Sequence, residues 1–157
     1  MKLTVQDVLA NYAAGERDFS KAELDDLKFK QKDLSGINLE SASLDGVLFR
    51  QTNLQESCLR KANLVDANIR NANLENADLS GADLEGADLE GSNLRGACLI
   101  EANLQSASLR NANLAGANLK GANLNSAALI GANLENVQLE GANLKGTLLK
   151  GTQLENS

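Results

Sequence analysis

The sequence predicts an all-β solenoid, a chain wound in repeated circuits around an aliphatic interior. Three observations carry this. Every fifth residue from Phe19 to Leu154 is Leu, Phe or Ile, 28 positions in one unbroken frame. The residue two before each of these centres is mostly alanine, as at Ala62, Ala67, Ala72, Ala77, Ala82 and Ala87. Of the 13 glycines, all but Gly15 lie two after a centre.

A period of five suits neither regular element. On an α-helix, five residues overshoot one turn by roughly 140°, so the leucines would sweep the whole circumference and leave no stripe to bury. On a flat strand an odd period sends successive leucines to opposite faces. Both conflicts vanish if the chain turns once per unit, always with the same hand. Within a unit the alanine and the leucine then share the inner side, and the polar residue between them points out. One large and one small side chain per unit can interlock at native density. The corner follows two residues after the centre, where Gly81, Asn71, Asn76 and Ser106 are residues that tolerate a tight turn.

Ahead of the repeat, the sequence predicts a helix near residues 5–14. Thr4 is a capping residue with Asp7 three later, a variant of the capping box. Leu3 and Val8 have the spacing of a hydrophobic staple, and Val5, Val8, Leu9 and Tyr12 make one apolar face. Gly15 ends the element. Residues 1–18 are thus expected to cap the first circuit and join it to the repeat of residues 19–157, the whole forming one domain.

The A-(D/N)-L-x-x units, such as Ala77-Asp78-Leu79-Ser80-Gly81 and Ala82-Asp83-Leu84-Glu85-Gly86, resemble those of the pentapeptide-repeat proteins. The resemblance covers residues 17–157, and the "YAAGERDFSKAEL" junction is similar to leaders of cyanobacterial members. It implies a right-handed quadrilateral β-helix with four units per circuit and about seven circuits, stacked at ~4.8 Å, behind a short N-terminal capping α-helix. The functional expectation is a non-enzymatic rigid scaffold or protein-interaction module of unknown specific role. Some relatives act as DNA mimics on a type II topoisomerase, through gyrase inhibition or quinolone protection, which is the alternative function. Others dimerise end to end through the C-terminal region.

Twenty residues per circuit turn the sequence into columns. Phe29 and Phe49 stack, followed by Ile69 and Leu89. Lys32 takes an inward position, so it must either snorkel out or distort its corner. One face collects Glu23, Asp25, Asp26, Asp45, Asp66, Asp83 and Glu85, with Lys145 its single base. The next face carries Lys28, Lys30, Arg50, Arg70, Arg110 and Lys150 against Asp88 and Glu90. Arg70, Glu90 and Arg110 alternate in sign along one column and are expected to pair within the molecule. Asn53, Asn73, Asn93, Asn113 and Asn133 form an amide column suited to ladder bonding. Ala128, Ile130 and Leu148 face outward in the last two circuits and are the candidate homodimer patch. Cys58 and Cys98 share a face two circuits apart, ~9.6 Å from the strand spacing, beyond the reach of a disulfide.

Chemistry is hard to place on this chain. It has no histidine, proline or tryptophan, so the commonest general base and metal ligand are missing. The Gly81 to Gly86 spacing imitates part of a phosphate-binding loop, but the Lys and Ser or Thr that complete it are lacking. No catalytic residue, cofactor, metal or small-molecule substrate is assigned. The net charge of −6, with no aromatic interleaving among the basic residues, argues against direct nucleic-acid binding. No apolar run reaches membrane-spanning length, and Gln6 and Asp7 break the apolar core a signal peptide would need. The expectation is a cytoplasmic protein whose partner is another protein.

Overall fold

The computed structural model describes residues 2–156; Met1 and Ser157, the outer bounds of the two predicted segments, lie outside them. Parallel β-bridges join residues twenty apart along the repeat, from Asp18 with Asn38 to Ala128 with Leu148. Four pentapeptides therefore make one circuit. Each bridge is a single residue pair and, among the described residues, no longer strand forms. The reason is local: two residues of every five lie in a corner, which leaves too little extended chain between corners for a continuous ladder.

One unit shows how the backbone is satisfied. In Ala62–Asp66, the Ala62 N–H closes the preceding corner on Leu59 O at 3.1 Å. Asn63 N–H donates back one circuit to Ala42 O at 3.0 Å, and Leu64 N–H donates forward to Asp83 O at 2.7 Å. Asp66 N–H donates forward to Glu85 O at 3.0 Å. Only the Val65 N–H is out of reach of any carbonyl, and the Asn63 side chain accepts it through Oδ1 at 3.1 Å. All five donors of the unit are thus paired, as a dry solenoid requires. The recurring Asn or Asp before each centre is a structural part of the corner, an Asx turn.

The residue two after each centre from Phe19 to Leu149 is left-handed. Gly91 has φ +70° and Asn71, one circuit before it, φ +56°. A Cβ on Gly91 would run into Asn71 Oδ1. The same close approach ties Asp26 to Gly46, Asp66 to Gly86, Asn76 to Gly96 and Asn111 to Gly131. In these pairs an Asp or Asn corner is followed by a glycine corner in the next circuit, which yields room to the side chain folded over it.

The leucine centres and their alanines fill the interior, nearly all of them fully buried as far as Leu134. The Phe29 and Phe49 rings lie 5.6 Å apart and tilted by 30°, an offset stack. Lys32 is exposed while its corner stays regular, with Lys32 N–H on Phe29 O at 3.2 Å. It lies in the first circuit, where an inward position borders the rim and the long stem can leave.

Three fully buried hydroxyls replace alanine inside. Thr52 donates to Phe29 O at 2.7 Å and Ser92 to Ile69 O at 2.6 Å. Ser57 is equally buried, yet its Oγ has no partner among the described residues. Opposite responses are expected. Ser57→Ala removes an unpaired polar atom and should stabilise by about 1 kcal/mol, while Ser92→Ala should cost about that much by deleting a made bond. Paired denaturant melts check the signs; equal effects would refute the assignment.

Helix α1 spans Val5–Ala13, close to the predicted bounds. Asp7 N–H donates to Thr4 Oγ1 at 3.1 Å and Thr4 N–H to Asp7 Oδ2 at 2.9 Å, a complete capping box. The second bond holds the Asp7 carboxyl below the ordinary carboxylate range. Val8 is fully buried in the core cluster, and Leu3, Val5, Leu9 and Tyr12 pack against it. The Tyr12 hydroxyl donates to Ser35 O at 2.7 Å. The Arg17 guanidinium lies 3.7 Å from the centre of the Tyr12 ring, a cation–π contact. Lys2 adds a bridge to Glu23 ahead of the helix.

Candidate functional site

The outward positions of each unit form four faces, and their side chains divide into those that hold the solenoid and those free to meet a partner. On the acidic face, Asp25 Oδ1 accepts from Ser43 Oγ at 2.6 Å and from Asp45 N–H at 2.9 Å. Asp83 Oδ1 accepts from Glu85 N–H at 3.1 Å and Asn103 Nδ2 at 3.0 Å. Asp26 and Asp66 lie over glycine corners. Glu23, Asp45 and Glu85 are exposed and project freely. None of the seven carboxylates has a Lys or Arg within ion-pair distance among the described residues.

The neighbouring face is different. Arg70 Nη1 lies 3.0 Å from both Asp88 Oδ2 and Glu90 Oε2. The bond to Asp88 pushes the guanidinium further above its ordinary pKa. Arg70 is thereby committed within the molecule, as its alternation with Glu90 predicts; the added diagonal to Asp88 was not foreseen. Arg110 has no such partner among the described residues. Free positive charge is left at Lys28, Lys30 and Arg50 near one end and at Arg110 and Lys150 farther along. A third face carries another pair, Arg60 to Glu40 at 3.1 Å, with Asp78 at 3.9 Å.

The amide column is bonded from circuit to circuit: Asn73 to Asn53 at 3.3 Å, Asn93 to Asn73 at 3.2 Å and Asn133 to Asn113 at 3.3 Å. A second ladder, unmarked in the sequence reading, joins Asn103, Asn123 and Asn143 to Asp83. Cys58 and Cys98 are free thiols, each bridged through its backbone to Asp78 between them. No group of metal-ligating side chains is found among the described residues, and no helix there is long and apolar enough to cross a membrane.

At the last circuits, Ala128 and Ile130 are half-buried and Leu148 is 50% exposed. The sequence reading missed their neighbours. Leu144 is 36% exposed, and the interior positions Val137, Leu139, Ala142 and Leu149 are only partly covered. The N–H groups of Leu139, Leu144 and Leu149 find no acceptor among the described residues. Part of this end is blunted by polar side chains: Gln153 Oε1 accepts from Leu134 N–H at 2.8 Å and Glu155 Oε2 from Gly151 N–H at 3.0 Å.

Comparison with known proteins places this geometry. The family described as Pentapeptide repeats matches in eight copies, over residues 33–71, 57–96, 67–105 and 97–136, more than half of the chain. The chain belongs to the pentapeptide repeat family. Its members fold as right-handed quadrilateral β-helices, and the twenty-residue bridge period is that architecture here. The crystal structure of the pentapeptide repeat protein Rfr23 from the cyanobacterium Cyanothece 51142 is similar, with 26% identity and a TM-score of 0.62 over 92% of this chain and 99% of that one. A pentapeptide repeat protein from Nostoc Pcc 7120 is 34% identical over 94% of this chain and 96% of that one, with a TM-score of 0.30. Trypsin-treated QnrB1, a plasmid-mediated fluoroquinolone resistance protein, has a TM-score of 0.62 at 20% identity over 88% of this chain and 84% of that one, a likeness of fold alone. The comparison with curated proteins finds no match.

Proposed function

We propose that this pentapeptide repeat protein is a rigid, non-enzymatic interaction module of the cytoplasm that offers its acidic face to a basic protein partner. The solenoid has about seven circuits, and α1 closes the first of them. The observation that carries the reading is the unneutralised acidic face. Its seven carboxylates lack ion-pair partners among the described residues, whereas Arg60 and Arg70 on other faces are paired internally. Glu23, Asp45 and Glu85 sit within three circuit steps, ~14 Å at the strand spacing, on a backbone that has no need of their side chains. Free charge on a fixed lattice steers and orients a partner of opposite sign at little ordering cost.

The test uses two triple variants. Glu23→Lys, Asp45→Lys and Glu85→Lys reverse the free acids; Lys28→Glu, Lys30→Glu and Arg50→Glu reverse the free bases. Affinity capture from the native lysate should lose its partner with the first set and keep it with the second. Identical capture by both sets refutes the acidic-face reading. Inhibition of gyrase supercoiling, or protection from a quinolone, by the unmodified protein and not by the acid-reversed one would instead make the face a DNA mimic.

The exposed Leu144 and Leu148, beside unpaired N–H groups, support a homodimer through the C-terminal end, with Ala128 and Ile130 at its margin. Leu148→Glu is expected to convert a dimer to a monomer in light scattering. A monomer before the substitution refutes the dimer.

A further inference from the structure

Between Arg95 and Glu135 the face bearing the amide column opens into a shallow hollow of about 400 Å³. Its origin is a single sequence feature. The position after each centre carries a longer or polar side chain in every other unit, and Ala115 is its only alanine. Gly116 follows it, so the surface drops by a side chain over one whole corner. Arg95 stands one circuit before this floor and Glu135 one circuit after it.

The side chains around the hollow are poised. Arg95 and Glu135 make no ion pair and donate or accept no side-chain hydrogen bond among the described residues. The acids one circuit outside this pair, Glu75 and Glu155, each have one carboxylate oxygen bonded elsewhere. Glu75 Oε2 accepts from Asn93 Nδ2 at 3.5 Å, and Glu155 Oε2 from Gly151 N–H at 3.0 Å. The amide column also breaks here. Asn53, Asn73, Asn93 and Asn133 each donate to the preceding member, but Asn113 Nδ2 has no acceptor among the described residues. Asn113 lines the hollow. One free cation, one free donor and one free anion thus lie in sequence along the axis.

The geometry points to a site for a small zwitterion of the α-amino-acid class, with its carboxylate on Arg95 and the Asn113 amide and its ammonium on Glu135. Two circuits separate Arg95 from Glu135 along one column, ~9.6 Å between their backbones. Both side chains are long and, among the described residues, otherwise unbonded, so their charged groups can close from that backbone spacing onto the two ends of a molecule as short as an α-amino acid, each through a charge-assisted hydrogen bond of ~2.8 Å. The ligand must supply both charges. A simple anion gains nothing from Glu135, and a simple cation gains nothing from Arg95. No reaction is implied, because no group on this face activates a bond.

The experiment is an amide chemical-shift titration of the full chain with glycine, and with acetate and methylammonium as half-ligands. Saturable shifts are expected at the Ala115 and Gly116 amides and the Asn113 side-chain amide, with neither half-ligand matching them. Arg95→Gln and Glu135→Gln should each weaken binding by up to about fivefold, the range an exposed ion pair supplies. Ala115→Phe, which points outward and fills the hollow, should abolish the response while the rest of the spectrum is kept. Shifts that fail to saturate, equal responses to acetate or methylammonium, or an undiminished response in Ala115→Phe would overturn the site. So would a response to N-acetyl-Asp-Ala-Ala-Lys-amide in place of glycine, which would make the hollow a contact for a protein segment.

Discussion

Phe49→Ala is expected to destabilise the solenoid by about 3–5 kcal/mol, the range for truncating a fully buried aromatic. Phe49 is 1% exposed and stacks on Phe29 at 5.6 Å, with Ile69 one circuit beyond. The void left behind has little means to close. Its walls are circuits held in fixed register, for example by Phe49 N–H on Asn68 O at 2.7 Å. Phe49→Leu should cost no more than about 1.5 kcal/mol, because the same interior column accepts Leu at Leu89. The excess attributable to ring stacking, about 0.5–1.5 kcal/mol, is read from a double-mutant cycle with Phe29→Leu. Guanidinium melts followed by far-ultraviolet circular dichroism measure all three. Equal losses for Ala and Leu would show that the interior is not packed around the ring. In a nearest-neighbour array the damage should centre on the first circuits, so hydrogen exchange should quicken around Phe29–Ile69 before it does around Leu114.

What the sequence made legible is what the repeat forces. A five-residue period calls for a coil, and the family resemblance sets four units to a circuit, so the interior leucines, the outward polar residues and the corner glycines could be placed before any coordinates. The helix was legible for a different reason: Thr4, Asp7 and Val8 are local signals whose meaning depends on a handful of neighbours. The free thiols followed from arithmetic, since two circuits exceed the reach of a disulfide. The role of Asn63 was harder to see. Its outward direction was clear, but its Asx bond to Val65 N–H emerges only when every donor of the unit is followed to an acceptor.

The face chemistry was less legible, because it depends on offsets between columns that the repeat does not encode. Arg70 was expected to meet Glu90 directly along its column; that it also reaches Asp88 is set by the rotamers of three long side chains. Ser57 and Ser92 occupy equivalent positions, yet one hydroxyl is bonded and the other is not. The same limit applies to Ala115. It reads as one more small residue until its neighbours Arg95 and Glu135 are seen to stand on opposite sides of the gap it leaves. Charge identity is written in the chain, but whether a charge is free or already bonded is not. That distinction separates Glu23, Asp45 and Glu85 from Asp25 and Asp83 as candidates for recognition.

Val8→Asp is expected to release α1 and leave the remaining circuits folded. Burying a valine fully is worth about 1.5–3 kcal/mol, and Val8 is completely enclosed. A carboxylate in that position would have no partner, and an unpaired buried charge costs far more than the valine contributed. The molecule has a cheaper response than unfolding, because the helix can lift into water. Once lifted, nine residues are too few to stay helical, so release and melting should coincide. Tyr12 reports the event cleanly, being the only tyrosine in a chain without tryptophan. Its hydroxyl bond to Ser35 O and the Arg17 contact on its ring would both be lost, so its fluorescence should change while the β-rich dichroism of the repeat persists. Thr4→Ala provides the contrast. It removes about 1 kcal/mol of capping without disturbing Val8, and should loosen the helix yet leave Tyr12 docked. If Val8→Asp left the Tyr12 signal unchanged, the helix would not be anchored through its apolar face. If it unfolded every circuit, the first circuit would be a nucleus on which the others depend rather than an end that needs covering.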